Sequence, residues 1–332
     1  MNRKKWIVVF MALALTMMLA SCGNSGSSQG QPPTSQTAGN ETSQNGQNST
    51  SSLNPTSETS SVSQSQTAPE NQNQTTSTGS ASVLGPAGGT VTTQDKPLET
   101  GMVTLTFDDG LSSVFTIAKD VLAQYDFTGT FFIPCAYVDD DDGLHITWDQ
   151  AYSLCWDYGW EAGDHTVHHK DLTQMSNADA INEIQQCGTE LQNYSLRYQG
   201  ALDPPFGAFN YDVTMAAVNS GCTSLRQAWI ETDWYNTPQN INPWAINVIP
   251  IKRDTPLSDI ESKIDSAAAN HYWIVLIFHD IIDVSDPSQI TDPDAITKTK
   301  LIQIVQYIHD KGLPVVNLTP GLEKCLYYKT LP

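Results

Sequence analysis

Two aspartates stand side by side in VTLTFDDGLSS, residues 103–113, at the end of an alternating run in which Val103, Leu105 and Phe107 share one face. Adjacent carboxylates at a strand end suit a division of labour. One binds a cation, and the other accepts a proton from the water that the cation acidifies. Gly110 lets the backbone turn so that both side chains approach one centre. A solvated strand-to-helix turn, with Asp109 near a helix N-terminus, would read the same way. Further along, DHTVHH brings His165, His168 and His169. His165 and His169 are four apart, so a helical turn presents both imidazoles on one face, a spacing suited to two ligands of one metal ion. His168, three residues from His165, is a rival ligand on spacing alone. Asp203 in DPPFG and His279 in FHD complete the chemistry-bearing stretches, which hold four of the seven histidines.

These stretches need a scaffold that gathers them across about 170 residues of chain. Strand-like segments are expected at 102–107, 129–134, 160–165, 199–202, 223–230, 245–251, 272–278 and 313–319. Amphipathic helices alternate with several of them. Val114, Ile117, Val121 and Leu122 share one face, and Ile302, Ile304, Val305 and Ile308 recur at helical spacing. This βαβα order implies an α/β fold, a mostly parallel sheet closed or nearly closed into a barrel, with its site at the carboxyl ends of the strands.

The first 95 residues of the 332 differ in composition from the rest. Arg3, Lys4 and Lys5 precede an apolar stretch from Trp6 to Leu19 and the small-residue sequence LASC ending at Cys22. That stretch is short for a membrane span and reads as a targeting segment. It resembles a bacterial lipoprotein signal with lipid attachment at Cys22. Residues 1–21 are then a signal peptide, and 22–95 a lipidated cysteine followed by a disordered linker rich in Ser, Thr, Gln and Asn. Such a tether of roughly 70 residues spans about 45–50 Å as a coil. The expected location is the extracellular side of the cell membrane, held through the N-terminal lipid only. With 36 acidic against 16 basic residues and a net charge of -20, the composition disfavours nucleic acid or an anionic membrane surface as a partner, and no nucleic acid is expected. The cysteines Cys135, Cys155, Cys187, Cys222 and Cys325 lack CxxC spacing and imply neither a disulfide framework nor a zinc knuckle, though one pair could bridge outside the cell. The acidic run DDDDG at 139–143 lacks EF-hand spacing and reads as a solvated loop.

Together, LTFDDG, HTVHH, DPPFGAFN, ETDW and VLIFHD resemble the five ordered motifs of the polysaccharide deacetylases, the NodB-homology domains of carbohydrate esterase family 4. The resemblance covers residues 101–325 and implies a distorted, incomplete TIM-like (β/α)7 barrel over 96–332, acting as a monomer. It implies Asp108 as general base and Asp109, His165 and His169 as ligands of one divalent metal ion, with Zn2+ favoured and Co2+ or another divalent ion acceptable. His279 is then the catalytic acid, the Phe206 amide after Pro205 an oxyanion donor, and Leu276 a lining of the acetyl pocket. Asp233 and Trp234 would border the substrate, Trp234 as a wall on which a sugar ring stacks. The implied partner is an acetylated polysaccharide, the implied reaction removal of acetyl groups from N-acetylglucosamine residues of peptidoglycan or a chitin-like glycan.

One departure stands out. The family's third motif usually carries an arginine before the prolines, where this chain has Asp203. A further acid near the base raises the pKa of one carboxylate unless a cation intervenes, and Arg226 is the candidate for that compensating charge. Alternatives are an O-acetyl esterase acting on xylan through the same site and a catalytically weakened glycan-binding lipoprotein. A serine hydrolase is disfavoured, because no GxSxG elbow occurs in the globular part.

Overall fold

The alternating run Met102–Phe107 forms strand β1, buried along its whole length. Such burial on both faces is what a central strand of a parallel sheet requires. Val103, Leu105 and Phe107 point to a helical layer, while Thr104 and Thr106 satisfy their hydroxyls on the backbone carbonyls of Val316 and Leu276. The computed structural model describes residues 83–84, 90–91, 96–139, 143–230 and 233–330, all within one contact-dense unit. The expected signal segment, Cys22 and most of the linker lie outside the described residues, as do Asp140–Asp142 of the acidic run. Within the stretch read as linker, Val83–Leu84 and Thr90–Val91 pair antiparallel.

Six further strands follow: β2 (Thr130–Ile133), β3 (Glu161–Asp164), β4 (Tyr198–Leu202), β5 (Ser224–Leu225), β6 (Ile249–Pro250) and β7 (Trp273–Phe278). All pair in parallel, in the order β5-β4-β3-β2-β1-β7-β6. The two edges meet beyond β5 and before β6, where Arg226 bridges Ile246 and the Ile246 amide donates to the Leu225 carbonyl. The expected seven-stranded barrel is thus present, closed by a bridge rather than by a full strand pair.

Helices α3 (Trp148–Trp156), α4 (Asn177–Asn193), α5 (Tyr211–Asn219), α6 (Leu257–Asn270) and α7 (Lys298–Asp310) follow the short helices α1 (Lys119–Ala123) and α2 (Cys135–Asp139). A π-helical turn, Val114–Ala118, leads into α1. Helix starts follow their caps. Thr147 and Gln150 form a reciprocal capping box on α3, and Ser176, Asn210 and Thr297 each accept an amide hydrogen bond at the start of α4, α5 and α7. Leu276 and Phe278 of β7 pack with Ile260 and Ile264 of α6 and Ile304 and Ile308 of α7 in the outer core. The alternate residues Trp273, Val275 and Ile277 point inward with Phe132 and Ala201.

The segment 313–319, expected as an eighth strand, contributes a single bridge from Val315 to Val103 and then turns into α8 (Leu318–Thr330). The cause is capture of its amides. Thr130 Oγ1 accepts from Leu318 N at 2.9 Å and the Glu161 carboxylate accepts from Thr319 N at 3.0 Å, filling the donors that a helix start leaves open. Pro320 is tolerated in that first turn. Leu318, Leu322 and Cys325 then join the inward cluster and floor the barrel at the amino ends of its strands. The runs expected at 223–230 and 245–251 are likewise shorter, leaving regular pairing only at β5 and β6.

Burial pushes the Glu161 carboxyl up to about 7, although its two hydrogen bonds from Thr319 act the other way. A carboxyl raised in the fold stabilises it while protonated, so this contribution is full below pH ~4.5 and is lost as pH rises to about 7, by at most about 3 kcal/mol. Urea unfolding from pH 4 to 8 should show Glu161→Gln lacking that decline relative to wild type. Parallel pH profiles for the two proteins would contradict the assignment.

Candidate active site

Asp108 and Asp109 follow β1 directly, and the carboxyl end of β1 lies between those of β2 and β7. Asp109 and Gly110 both adopt left-handed backbone, with φ of 67° and 63°, a conformation unusual for a residue with a Cβ. This double turn brings both carboxylates to one cavity instead of opposite sheet faces. The Asp108 amide donates to the Phe278 carbonyl at 2.9 Å, so the base strand is stitched to the strand carrying His279. Ser113 extends the tie by donating to Asp280 Oδ1 at 2.6 Å.

The imidazoles arrive from the turn after β3. Thr166 and His169 have φ of 67° and 51°. Thr166 N donates to Asp164 Oδ1 at 2.7 Å and His169 N to Thr166 Oγ1 at 3.1 Å, which holds this tight turn. His165 Nε2 and His169 Nε2 lie 3.3 and 3.2 Å from Asp109 Oδ1 and 3.1 Å from each other. A tetrahedral zinc ion with ligands at 2.0–2.1 Å places them about 3.3 Å apart. One oxygen and two imidazole nitrogens at these separations fit such an ion, and they are the metal-capable cluster found among the described residues. His168 is resolved as a non-ligand. Its ring is half exposed and its Nδ1 lies 2.9 Å from Glu183 Oε1.

Asp203 explains the missing arginine. Its carboxylate lies 2.5 Å from Arg226 Nη2, and the same nitrogen donates to Asp108 Oδ1 at 2.7 Å. All three side chains are buried, and the guanidinium lies over the Phe132 ring at 4.8 Å. Arg226 therefore supplies from β5's continuation the charge absent at position 203. Asp203 also orients a ligand, because its carbonyl accepts from His165 Nδ1 at 2.7 Å with Oδ2 at 3.3 Å. That bond fixes the tautomer whose Nε2 faces Asp109.

The charges answer to this geometry. Burial would raise the Asp109 carboxyl, but hydrogen bonds from His165 and His169 outweigh it and hold the group far below the usual carboxylate range. Burial would lower His165, yet the Asp203 and Asp109 charges carry it up to about 9 in the metal-free chain. Burial pushes Asp203 upward, partly offset by Arg226.

A cavity of about 290 Å³ joins Asp108, Asp109, His165, His169, Phe206 and His279. His279 Nε2 lies 3.8 Å from Asp108 Oδ2. Phe206 follows Pro205 in a short 3-10 turn, with φ 61° and its ring edge-on to His169 at 4.7 Å. Three expected site residues are elsewhere. Leu276 faces the outer helical core, because strand alternation from His279 sends Ile277 inward instead. Trp234 packs against Tyr235 and Tyr272, and Asp233 accepts from Asn240. Both precede Asn236, which exchanges backbone hydrogen bonds with Trp273, the first residue of β7. They therefore sit at the amino end of the barrel, about 20 Å of strand from the site. Trp229 takes the wall position instead, with Lys252 over its ring at 4.6 Å and Asp294 2.6 Å from the Lys252 ammonium. Trp229 lies within the run 223–230 that its sequence marks as strand-like. With β5 ending at Leu225, the rule of strand carboxyl ends finds it.

Removing the shared cation leaves two buried carboxylates without their guanidinium partner. Arg226→Met should cost about 3–5 kcal/mol in urea unfolding, and in a double-mutant cycle with Asp203→Asn the double variant should lose less than the sum of the two single losses. Additive losses would mean that the pair does not interact.

A family model described as polysaccharide deacetylase matches residues 95–225. Among curated relatives, a chitooligosaccharide deacetylase of Sinorhizobium fredii is 24% identical over 226 residues, 65% of this chain and 89% of that protein. The peptidoglycan-N-acetylmuramic acid deacetylase PdaA of Bacillus subtilis is 28% identical over 132 residues, 39% of this chain and 48% of that protein. Among solved structures, the Xyl-CE4 domain of a multidomain xylanase from the hindgut metagenome of Trinervitermes trinervoides is 22% identical, with a TM-score of 0.46 over 68% of this chain and 91% of that one. The matched segment includes Asp108, Asp109, His165, His169 and Phe206, and Arg226 and His279 follow it. Over residues 95–225 the chain is therefore similar to the polysaccharide deacetylases.

Proposed function

We propose that this chain is a metal-dependent hydrolase that removes acetyl groups from N-acetylglucosamine residues of peptidoglycan or a chitin-like glycan. The observation that carries the reading is convergence on one cavity of an Asp-His-His cluster, a carboxylate beside it and a histidine 3.8 Å from that carboxylate. The names of the relatives, which act on chitooligosaccharides and on peptidoglycan, support the same substrate class. Asp109, His165 and His169 would hold the ion, for which zinc suits one oxygen and two nitrogen donors, and cobalt suits them too. When bound, the ion supplies Lewis acidity, polarising the acetyl carbonyl and acidifying water.

The chain's own groups divide the rest of the work. Asp108 accepts a proton from the attacking water through Oδ2, while its Oδ1 stays bonded to Arg226. The Phe206 amide, carried by a left-handed residue at the cavity edge, is the oxyanion donor. An amine leaves poorly unless protonated, and His279 at the far edge of Asp108 delivers that proton. Acetate and a free amino sugar are the products. Trp229 offers the aromatic wall on which a pyranose ring stacks.

We further propose that Cys22 carries a lipid and that the domain works on the outer side of the membrane at the end of its Ser/Thr/Gln/Asn-rich tether. LASC at 19–22 and the basic residues before the apolar stretch support this. No helix among the described residues is long and apolar enough to cross a membrane.

Acetate release from chitooligosaccharides, peptidoglycan and acetylated xylan tests the activity. Chelation should abolish release and zinc restore it, and Asp108→Asn should retain the metal while kcat falls about 10²–10⁴-fold. Release that survives chelation would refute the metal reading. Metabolic labelling with palmitate should mark the wild-type chain and leave Cys22→Ala unlabelled; equal labelling would rule out Cys22 as the anchor.

A further inference from the structure

The turn that presents His165 and His169 is held from two sides, and the two sides are covalently joined. On one side, the first residues of α2 donate backbone hydrogen bonds to the turn, Cys135 N to the Thr166 carbonyl at 3.1 Å and Ala136 N to the Val167 carbonyl at 2.9 Å. On the other, Glu183 of α4 accepts from Val167 N at 3.2 Å and His168 N at 2.9 Å through Oε2, and its Oε1 lies 2.9 Å from His168 Nδ1. Cys187 stands four residues after Glu183, on the same face of α4. It forms a disulfide with Cys135, with the two Cα atoms 5.5 Å apart. Both sulfur-bearing residues are buried, as is the Glu183 side chain.

Nothing in the chemistry proposed above uses these three residues, yet they frame the carbonyls and amides of Thr166, Val167 and His168, the residues between the two imidazoles. The turn includes left-handed backbone at Thr166 and His169, so it needs outside support to keep its shape. Glu183 also disposes of the rival ligand, drawing the His168 ring away from Asp109. We propose that the Cys135–Cys187 disulfide and Glu183 form a brace that positions the metal-binding turn, so that affinity for the ion depends on this pair being oxidised. The inference rests on the metal site proposed above. Cys135, Cys187 and Glu183 are positioning residues, since none of them touches the cluster.

The test is zinc affinity, measured by competition with a fluorescent chelator on the purified chain at a temperature where circular dichroism shows each protein folded. Wild type, the double variant Cys135→Ser/Cys187→Ser, and Glu183→Gln are compared. Loss of an outer support of a metal ligand weakens binding about 10–100-fold, and both variants should show a rise of Kd in that range. Wild type treated with a water-soluble phosphine should match the double variant. The phosphine takes the oxygen of one water to become its oxide, and the disulfide takes two protons and two electrons to become two thiols. The double variant itself should not respond to phosphine. A purely structural disulfide would lower the thermal midpoint and leave the Kd of the folded protein unchanged. Kd values within twofold of wild type in folded Glu183→Gln and in reduced wild type would therefore overturn the brace. Should the double variant fail to fold, those two proteins decide the matter without it. Wild type that binds no zinc would instead remove the metal reading on which the brace stands.

Discussion

The site depends on a single buried cation shared by two buried acids. Arg226 touches Asp108 and Asp203 through the same nitrogen, and its backbone makes the bridge to Ile246 that closes the barrel. Three charged groups out of water are costly unless each is paired, and here the pairing also orients chemistry. Asp108 is held with one oxygen on the guanidinium and the other toward His279. Asp203 reaches from the guanidinium to His165. The electrostatics of the base and the orientation of a ligand are therefore one network, in which loss of the guanidinium leaves both acids without their shared cation.

That network also settles how a departure from the family pattern is absorbed. An aspartate where an arginine is usual looks disabling when the motif is read as a string. In three dimensions the next strand over returns the cation to the same place, beside the base. The acid at position 203 then acquires a second use as the hydrogen-bond partner of an imidazole Nδ1, which places the other ring nitrogen toward the cluster.

Much of this was legible in the chain of letters. Strand β1, the π turn and helix behind it, β7 and α7 carry strong apolar periodicity, and periodicity is what burial between layers imposes. The pair Asp108-Asp109, the four-residue step from His165 to His169, and His279 are visible because strand ends and ligand spacing are local features. What failed was non-local. The choice between His168 and His169 is made by Glu183, on a helix more than ten residues away. The helix at Leu318 replaces an expected strand because Thr130 and Glu161, far back in the chain, seize its first amides. Trp229 is hidden in the run expected as a strand over 223–230, and nothing local says that β5 ends after two residues. The Leu276 assignment broke on parity alone: one residue along a strand reverses the face.

The strand order has a final implication. With β1 at the middle of the sheet, β2 through β5 fan out on one wing and β7 and β6 on the other. One wing supplies the imidazoles and the turn at Phe206, and the other supplies His279 and Lys252. The two aspartates sit on the spine between them. Loops on the β6–β7 wing can thus change length or composition while Asp109 keeps its place on the spine and His165 and His169 theirs on the opposite wing.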